Sequence, residues 1–138
     1  MARAAIADTG PLVAFFDRAE RNHPWAAEQV RTLDAPLLVC EAVLAETMYL
    51  LSDLPKAQDA LFELLENGAL RIGLRLEEHV PELRALRRKY RDLPMSLADA
   101  CVVRMAELYD KHHVLTLDSD FSVYRAHGRQ PLALIRPQ

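Results

Sequence analysis

Five short runs along the chain are apolar at consecutive positions rather than at alternate ones. They are residues 4–8 (AAIAD), 36–40 (PLLVC), 69–73 (ALRIG), 113–118 (HVLTLD) and 131–135 (PLALI). Each begins or ends at a charge, a proline or a glycine, and each has the length of a strand. Between them the apolar positions recur at helical spacing. That pattern predicts helices over residues 11–18, from 23–24 onward, and over 42–51, 56–66, 81–91 and 97–109. Pro11 and Pro24 suit first helical positions, and Asn67–Gly68 closes the fourth helix. Strands apolar on both faces and separated by helices predict an α/β fold. Its centre is a parallel five-stranded sheet flanked by helices on both faces. In such sheets a ligand lies beyond the carboxyl ends of the strands. That rule selects Asp8 and Asp118, each ending an apolar run.

Composition narrows the partners more than the fold. With 138 residues the chain reads as one domain, 1–138, able to bury roughly two-thirds of its unfolded surface. Its net charge of −3 excludes a general polycation, so any nucleic acid must meet a local patch or a metal site. Cys40 and Cys101 sit in apolar surroundings without a CxxC pattern, which reads as two small buried thiols in a reducing compartment. The N-terminus reaches Asp8 before a signal sequence can form, and no apolar run approaches the roughly 18 residues of a membrane span. A cytoplasmic protein with no membrane contact is expected.

Four acids stand where charge is unexpected. Asp8 is the sole charge between Arg3 and Asp17, Glu46 the sole charge between Glu41 and Asp53, and Asp99 the sole charge between Asp92 and Arg104. Asp118 ends the run HVLTLD. Each has a structural explanation. Asp8 and Asp118 suit helix caps, Glu46 suits an arginine partner, and Asp99 follows Ser96 by three, as in a capping box. Together they suggest a crevice in which carboxylates repel, a problem that a divalent cation removes. Oxygen donors without a His or Cys cluster suit Mg²⁺ or Mn²⁺ rather than Zn²⁺.

The ordered set DTGPLVAFFD, VLAE, LPMSLADA and VLTLDSDF resembles a PIN domain, and more narrowly the VapC-type toxin ribonucleases of prokaryotic toxin–antitoxin pairs. The resemblance covers essentially the whole chain. It implies a PIN-like fold and a Mg²⁺- or Mn²⁺-dependent endoribonuclease that hydrolyses RNA phosphodiester bonds. By matching position, Asp8, Glu46, Asp99 and Asp118 resemble the family's four acids, with Asp8, Asp99 and Asp118 as metal ligands. Glu46 would orient the attacking water, act as its base, or hold a second metal. Thr9 and Thr116 match small hydroxyl residues beside these acids, and Asp120 matches a variable auxiliary position. The resemblance also implies a homodimer and a small antitoxin protein that covers the pocket. The alternative is a PIN fold kept for binding or scaffolding without catalysis, against which the intact set of acids argues. A signalling receiver domain also gathers acids and Mg²⁺, but PLLVCEAV and HVLTLDSD lack its phosphoacceptor Asp and its Lys.

Outside these motifs, Arg84, Arg87, Arg88 and Arg91 fall at i, i+3, i+4 and i+7, one helix face, with Leu83, Leu86 and Tyr90 on another. The stripe is a candidate contact for the RNA backbone, its alternative being a solvated face. Tyr124–Arg125 is a second candidate RNA contact, or a surface turn. The five histidines show no ligand spacing.

Overall fold

In the computed structural model, which describes residues 3–138, five strands form one parallel sheet. The chain runs β1 (Ala5–Ala7), α1 (Thr9–Phe16), α2 (His23–Thr32), β2 (Leu37–Val39), α3 (Glu41–Leu50), α4 (Pro55–Glu66) and β3 (Leu70–Ile72). A 3₁₀ turn, Leu76–His79, leads into α5 (Val80–Lys89), followed by α6 (Leu97–Leu108) and β4 (His113–Leu115). A second 3₁₀ turn, Ser119–Ser122, precedes β5 (Arg125–Ala126), β6 (Gln130–Pro131) and β7 (Leu134–Ile135). The sheet order is β3-β2-β1-β4-β7. Ile6 is in register with Leu38 on one side and Val114 on the other.

The sheet is covered on both faces. Successive strand side chains point to opposite faces, yet Ala5, Ile6 and Ala7 are all 0% exposed. The edge strand β3 is different: Leu70 is buried, but Arg71 and Ile72 are exposed. The core packed on the sheet includes Leu12, Val43, Leu61, Val102, Met105 and Phe121.

The strand order reverses between β1 and β4. From β1 the chain builds outward through β2 to β3, and from β4 it builds the other way to β7. Such a switch point leaves a crevice at the carboxyl ends of the two central strands. Asp8 follows β1 directly, and its N–H continues the ladder to Leu115 O at 2.9 Å.

Four of the five predicted strands are present, the run 131–135 is split between Pro131 in β6 and Leu134–Ile135 in β7, and the helices differ at their ends. α1 begins at Thr9, which makes Pro11 its third residue rather than its first. Proline is tolerated there because first-turn N–H groups have no intrahelical acceptor in any case. α5 ends at Lys89, two residues before the predicted end, and Arg91 therefore lies outside it. The N–H of Tyr90 reaches Leu86 O, that of Arg91 turns back to Arg88 O, and Pro94 bars any further helix. The antiparallel pair β5–β6 has two residues per strand, too short to leave a periodic pattern. Among the described residues no helix is long and apolar enough to cross a membrane.

Candidate active site

Asp8 takes up the N-cap position of α1, but its carboxylate does not cap. One oxygen, Oδ2, accepts a 2.8 Å hydrogen bond from the Thr116 hydroxyl. The same hydroxyl accepts the N–H of Asp118 at 2.9 Å. Thr116, fully buried, therefore clamps the ends of β1 and β4 together, holding the Asp8 carboxylate on one side and the Asp118 backbone on the other. Thr9, also buried, does the same across elements: its hydroxyl donates to Glu46 Oε1 at 2.6 Å, joining α1 to α3. The arginine partner expected for Glu46 is not what holds it.

Asp99 enters from α6 through a complete capping box. Ser96 Oγ accepts the Asp99 N–H, and Asp99 Oδ2 accepts the Ser96 N–H, both at 3.0 Å. Asp118 caps the turn that follows it, its Oδ1 accepting from Asp120 N at 2.9 Å. The structural explanations for Asp99 and Asp118 therefore hold. The charge of Asp118 also acts on Asp99.

The electrostatics show this convergence. Asp8 is only 6% exposed, and desolvation pushes its pKa up to about 6. Hydrogen bonds from Thr116 and the Thr9 backbone oppose that rise, while the charges of Asp99 and Asp118 reinforce it. Asp99 is also raised, first by burial and then by Asp118 and Glu46, against the hydrogen bonds of Ser96. The four acids thus act on one another across the crevice. The ion pairs among the described residues, Arg31–Glu28 and Arg104–Glu107, involve none of them.

Carboxylates gathered without a basic partner suit a hard cation, and the donors offered are all oxygen. No group of three or more acidic, histidine or cysteine side chains among the described residues is arranged to hold a metal ion. Mg²⁺ does not demand one, since it keeps several waters and binds through one or two carboxylates. One or two of these acids, completed by waters, have the oxygen-donor chemistry of such a site.

Arg84, Arg87 and Arg88 are exposed on α5 and, with Arg91, line a groove of about 570 Å³. Its other walls include Leu83, Tyr90, Met95 and Leu97. Arg87 Nε donates to Met95 O at 3.3 Å, beside the Ser96 cap, so the groove runs to the head of the helix that carries Asp99.

Tyr124 is not on the surface. It is 0% exposed, and the expectation of a surface turn or RNA contact is wrong for it. Phe121 and Tyr124 are three residues apart across the end of a 3₁₀ turn, a spacing that puts both rings on one side. That aromatic pair was the available signal, obscured by the polar residues around it. The Arg125 guanidinium is folded back onto the carbonyls of Ser122, Val123 and Tyr124. No histidine is among the side chains acting on Asp8 or Asp99. Cys40 and Cys101 are free and buried, as the sequence suggests.

The PIN domain family model matches residues 5–126, from β1 through β5. The chain belongs to the PIN domain family, among its VapC-type members. It is 32% identical over 126 residues to Ribonuclease VapC26 of Mycobacterium tuberculosis (strain ATCC 25618 / H37Rv), an alignment covering 89% of this chain and 93% of that protein.

Proposed function

We propose that this chain is a Mg²⁺- or Mn²⁺-dependent endoribonuclease, the toxin of a toxin–antitoxin module, built as one domain over residues 1–138. The observation that carries the reading is the crevice between β1 and β4. There the charges of Asp99 and Asp118 act on Asp8, and those of Asp118 and Glu46 on Asp99, with no ion pair to any of them among the described residues. Family membership supports the nuclease class, and the relative's printed name supports RNA as the substrate.

In this reading Asp8, Asp99 and Asp118 hold the cation. When bound, it stabilises charge developing on the phosphodiester and acidifies a water. Thr116 holds the Asp8 carboxylate and the Asp118 backbone, and the Asp120 N–H holds the Asp118 carboxylate. Glu46, held by Thr9, takes the proton of the attacking water. Asp120 is an auxiliary group at the rim. Arg84, Arg87, Arg88 and Arg91 hold the RNA backbone in the groove leading to Asp99. A small antitoxin covers the pocket, two copies of the chain pair as a homodimer, and the protein works in the cytoplasm.

The test is RNA cleavage with Mg²⁺ or Mn²⁺ by the wild type, Asp8→Asn and Asp99→Asn. Cleavage is expected to fall by at least about a hundredfold in each variant, the scale of removing a main electrostatic or metal interaction. Equal cleavage by all three would sink the assignment, and binding without cleavage in all three would point to a catalytically silent scaffold.

A further inference from the structure

The arginine groove along α5 carries more apolar surface than a basic patch needs. Val80 and Leu97 line it and are 48% and 46% exposed, while Leu83 and Met95, both buried, complete its apolar side. Single exposed apolar side chains are ordinary, but here two share one concave groove.

The charge of the groove is unspent. The ion pairs among the described residues are Arg31–Glu28 and Arg104–Glu107, and Arg84, Arg87, Arg88 and Arg91 take part in neither. Among the described residues only Arg87 of the four makes a side-chain hydrogen bond, through Nε to Met95 O at 3.3 Å. Lys89, the remaining cation of α5, reaches away to Gly128 O at 3.0 Å. The cations lining the groove are therefore guanidinium groups throughout.

A ligand that uses this groove fully is anionic and apolar at once. Guanidinium forks match phosphate in a two-bond geometry that an ammonium cannot make, and their planes also stack on flat rings. A phosphate chain with exposed rings is an unpaired nucleic acid strand. A duplex turns its bases inward, so it would meet the arginines and leave Val80 and Leu97 in water. An acidic amphipathic peptide also joins charge to apolar surface, but the all-arginine charge and the place of the groove favour the nucleic acid. Leu97 is the first residue of α6 and Asp99 the third. Residues two apart leave a helix on different sides, so the groove is distinct from the acidic crevice and meets it around the same helix end.

Resting on the nuclease reading above, we propose that the groove is a seat for an unpaired base of the RNA. The base packs on Val80 and Leu97, and its flanking phosphates lie on the four arginines. The strand then continues around the head of α6 to the acids. The seated nucleotide is a neighbour of the one cleaved, and the seat selects single-stranded over duplex RNA.

Val80→Ala combined with Leu97→Ala tests the seat. Both side chains are half exposed, so the melting temperature should stay within a few degrees of the wild type. Binding is measured in chelator to three labelled ligands: a short uridine-rich single strand, a blunt RNA duplex, and a strand of the same length with abasic sugars. The wild type should bind the single strand most tightly. The double variant should lose about three- to tenfold for that strand alone, the scale of removing a few methyl groups from an apolar contact. Its salt slope should hold, because no phosphate contact is lost. With Mg²⁺ present the KM for the single strand should rise by the same factor while kcat holds, as expected when binding away from the reacting bond is weakened.

Wild-type affinity for the single strand in the double variant would overturn the proposal and leave the groove to a partner protein with acidic and apolar side chains. Equal binding of the intact and abasic strands by the wild type would overturn it too, whatever the variant's folding. A wild type that neither binds nor cleaves RNA would overturn both this proposal and the nuclease reading. Cleavage lost in Asp8→Asn, with single-strand affinity and KM unchanged in the double variant, would overturn this one alone. Base-dependent binding by a wild type that cleaves no RNA would sink the nuclease reading and leave the seat.

Discussion

At Asp8 three influences compete. Burial and the charges of Asp99 and Asp118 favour the protonated acid, while the Thr116 and Thr9 hydrogen bonds favour the carboxylate. Burial wins, and the folded pKa of about 6 exceeds the unfolded value near 3.9. Between these two values the folded state binds more protons than the unfolded one, so stability falls as pH rises from about 4 to about 6. Roughly two pKa units correspond to roughly 3 kcal/mol. Urea unfolding in chelator should therefore show the wild type losing more stability over that window than Asp8→Asn, whose remaining loss comes from the raised Asp99. The variant should end as the more stable protein at pH 7.5, and parallel pH profiles for the two would show that the Asp8 charge is not strained. The position of Asp8 at a strand end is legible in AAIAD. Its proton affinity is not, because desolvation depends on the helices packed over it.

At the scale of elements, α6 and α5 divide the work. α6 brings Asp99 to the crevice through its Ser96 capping box, a motif visible in the sequence because it spans only four residues. α5 brings basic charge. Its arginines follow the helical period as far as Arg88, and Arg91 reaches the same groove from the turn beyond. Sequence periodicity could not show that break, because the helix stops where Tyr90 is drawn into the core and packs on Tyr124. Arg87→Ala combined with Arg88→Ala should weaken RNA binding about equally across sequences. It should also flatten the salt dependence by about 0.7 in log–log slope for each single-strand phosphate that is no longer neutralised. An unchanged slope in a filter-binding titration would make the stripe an ordinary solvated face.

For the molecule as a whole, the switch in strand order matters most, because it sets β1 and β4 side by side and brings acids from distant parts of the chain into one crevice. A cation that bridges elements in the folded state has no equivalent site in the unfolded chain. At a hundredfold excess over its dissociation constant, Mn²⁺ should stabilise the protein by about 2.7 kcal/mol, several degrees in melting temperature. Protons compete for Asp8, so that increment should be larger at pH 7.5 than at pH 5 in a calorimetric scan. An increment independent of pH would remove Asp8 from the cation's ligands. The sequence by itself determined four of the five strands, the six helices to within a few residues, and the four isolated acids. Those features are local, written in apolar runs, helical spacing and caps. The tertiary structure alone brings the acids within reach of one another's charge with no ion pair among the described residues, lets Thr116 hold Asp8 and Thr9 hold Glu46, and buries Tyr124. These are relations between residues as far apart as Asp8 and Thr116, and they exist only once the strands are paired and the core has closed.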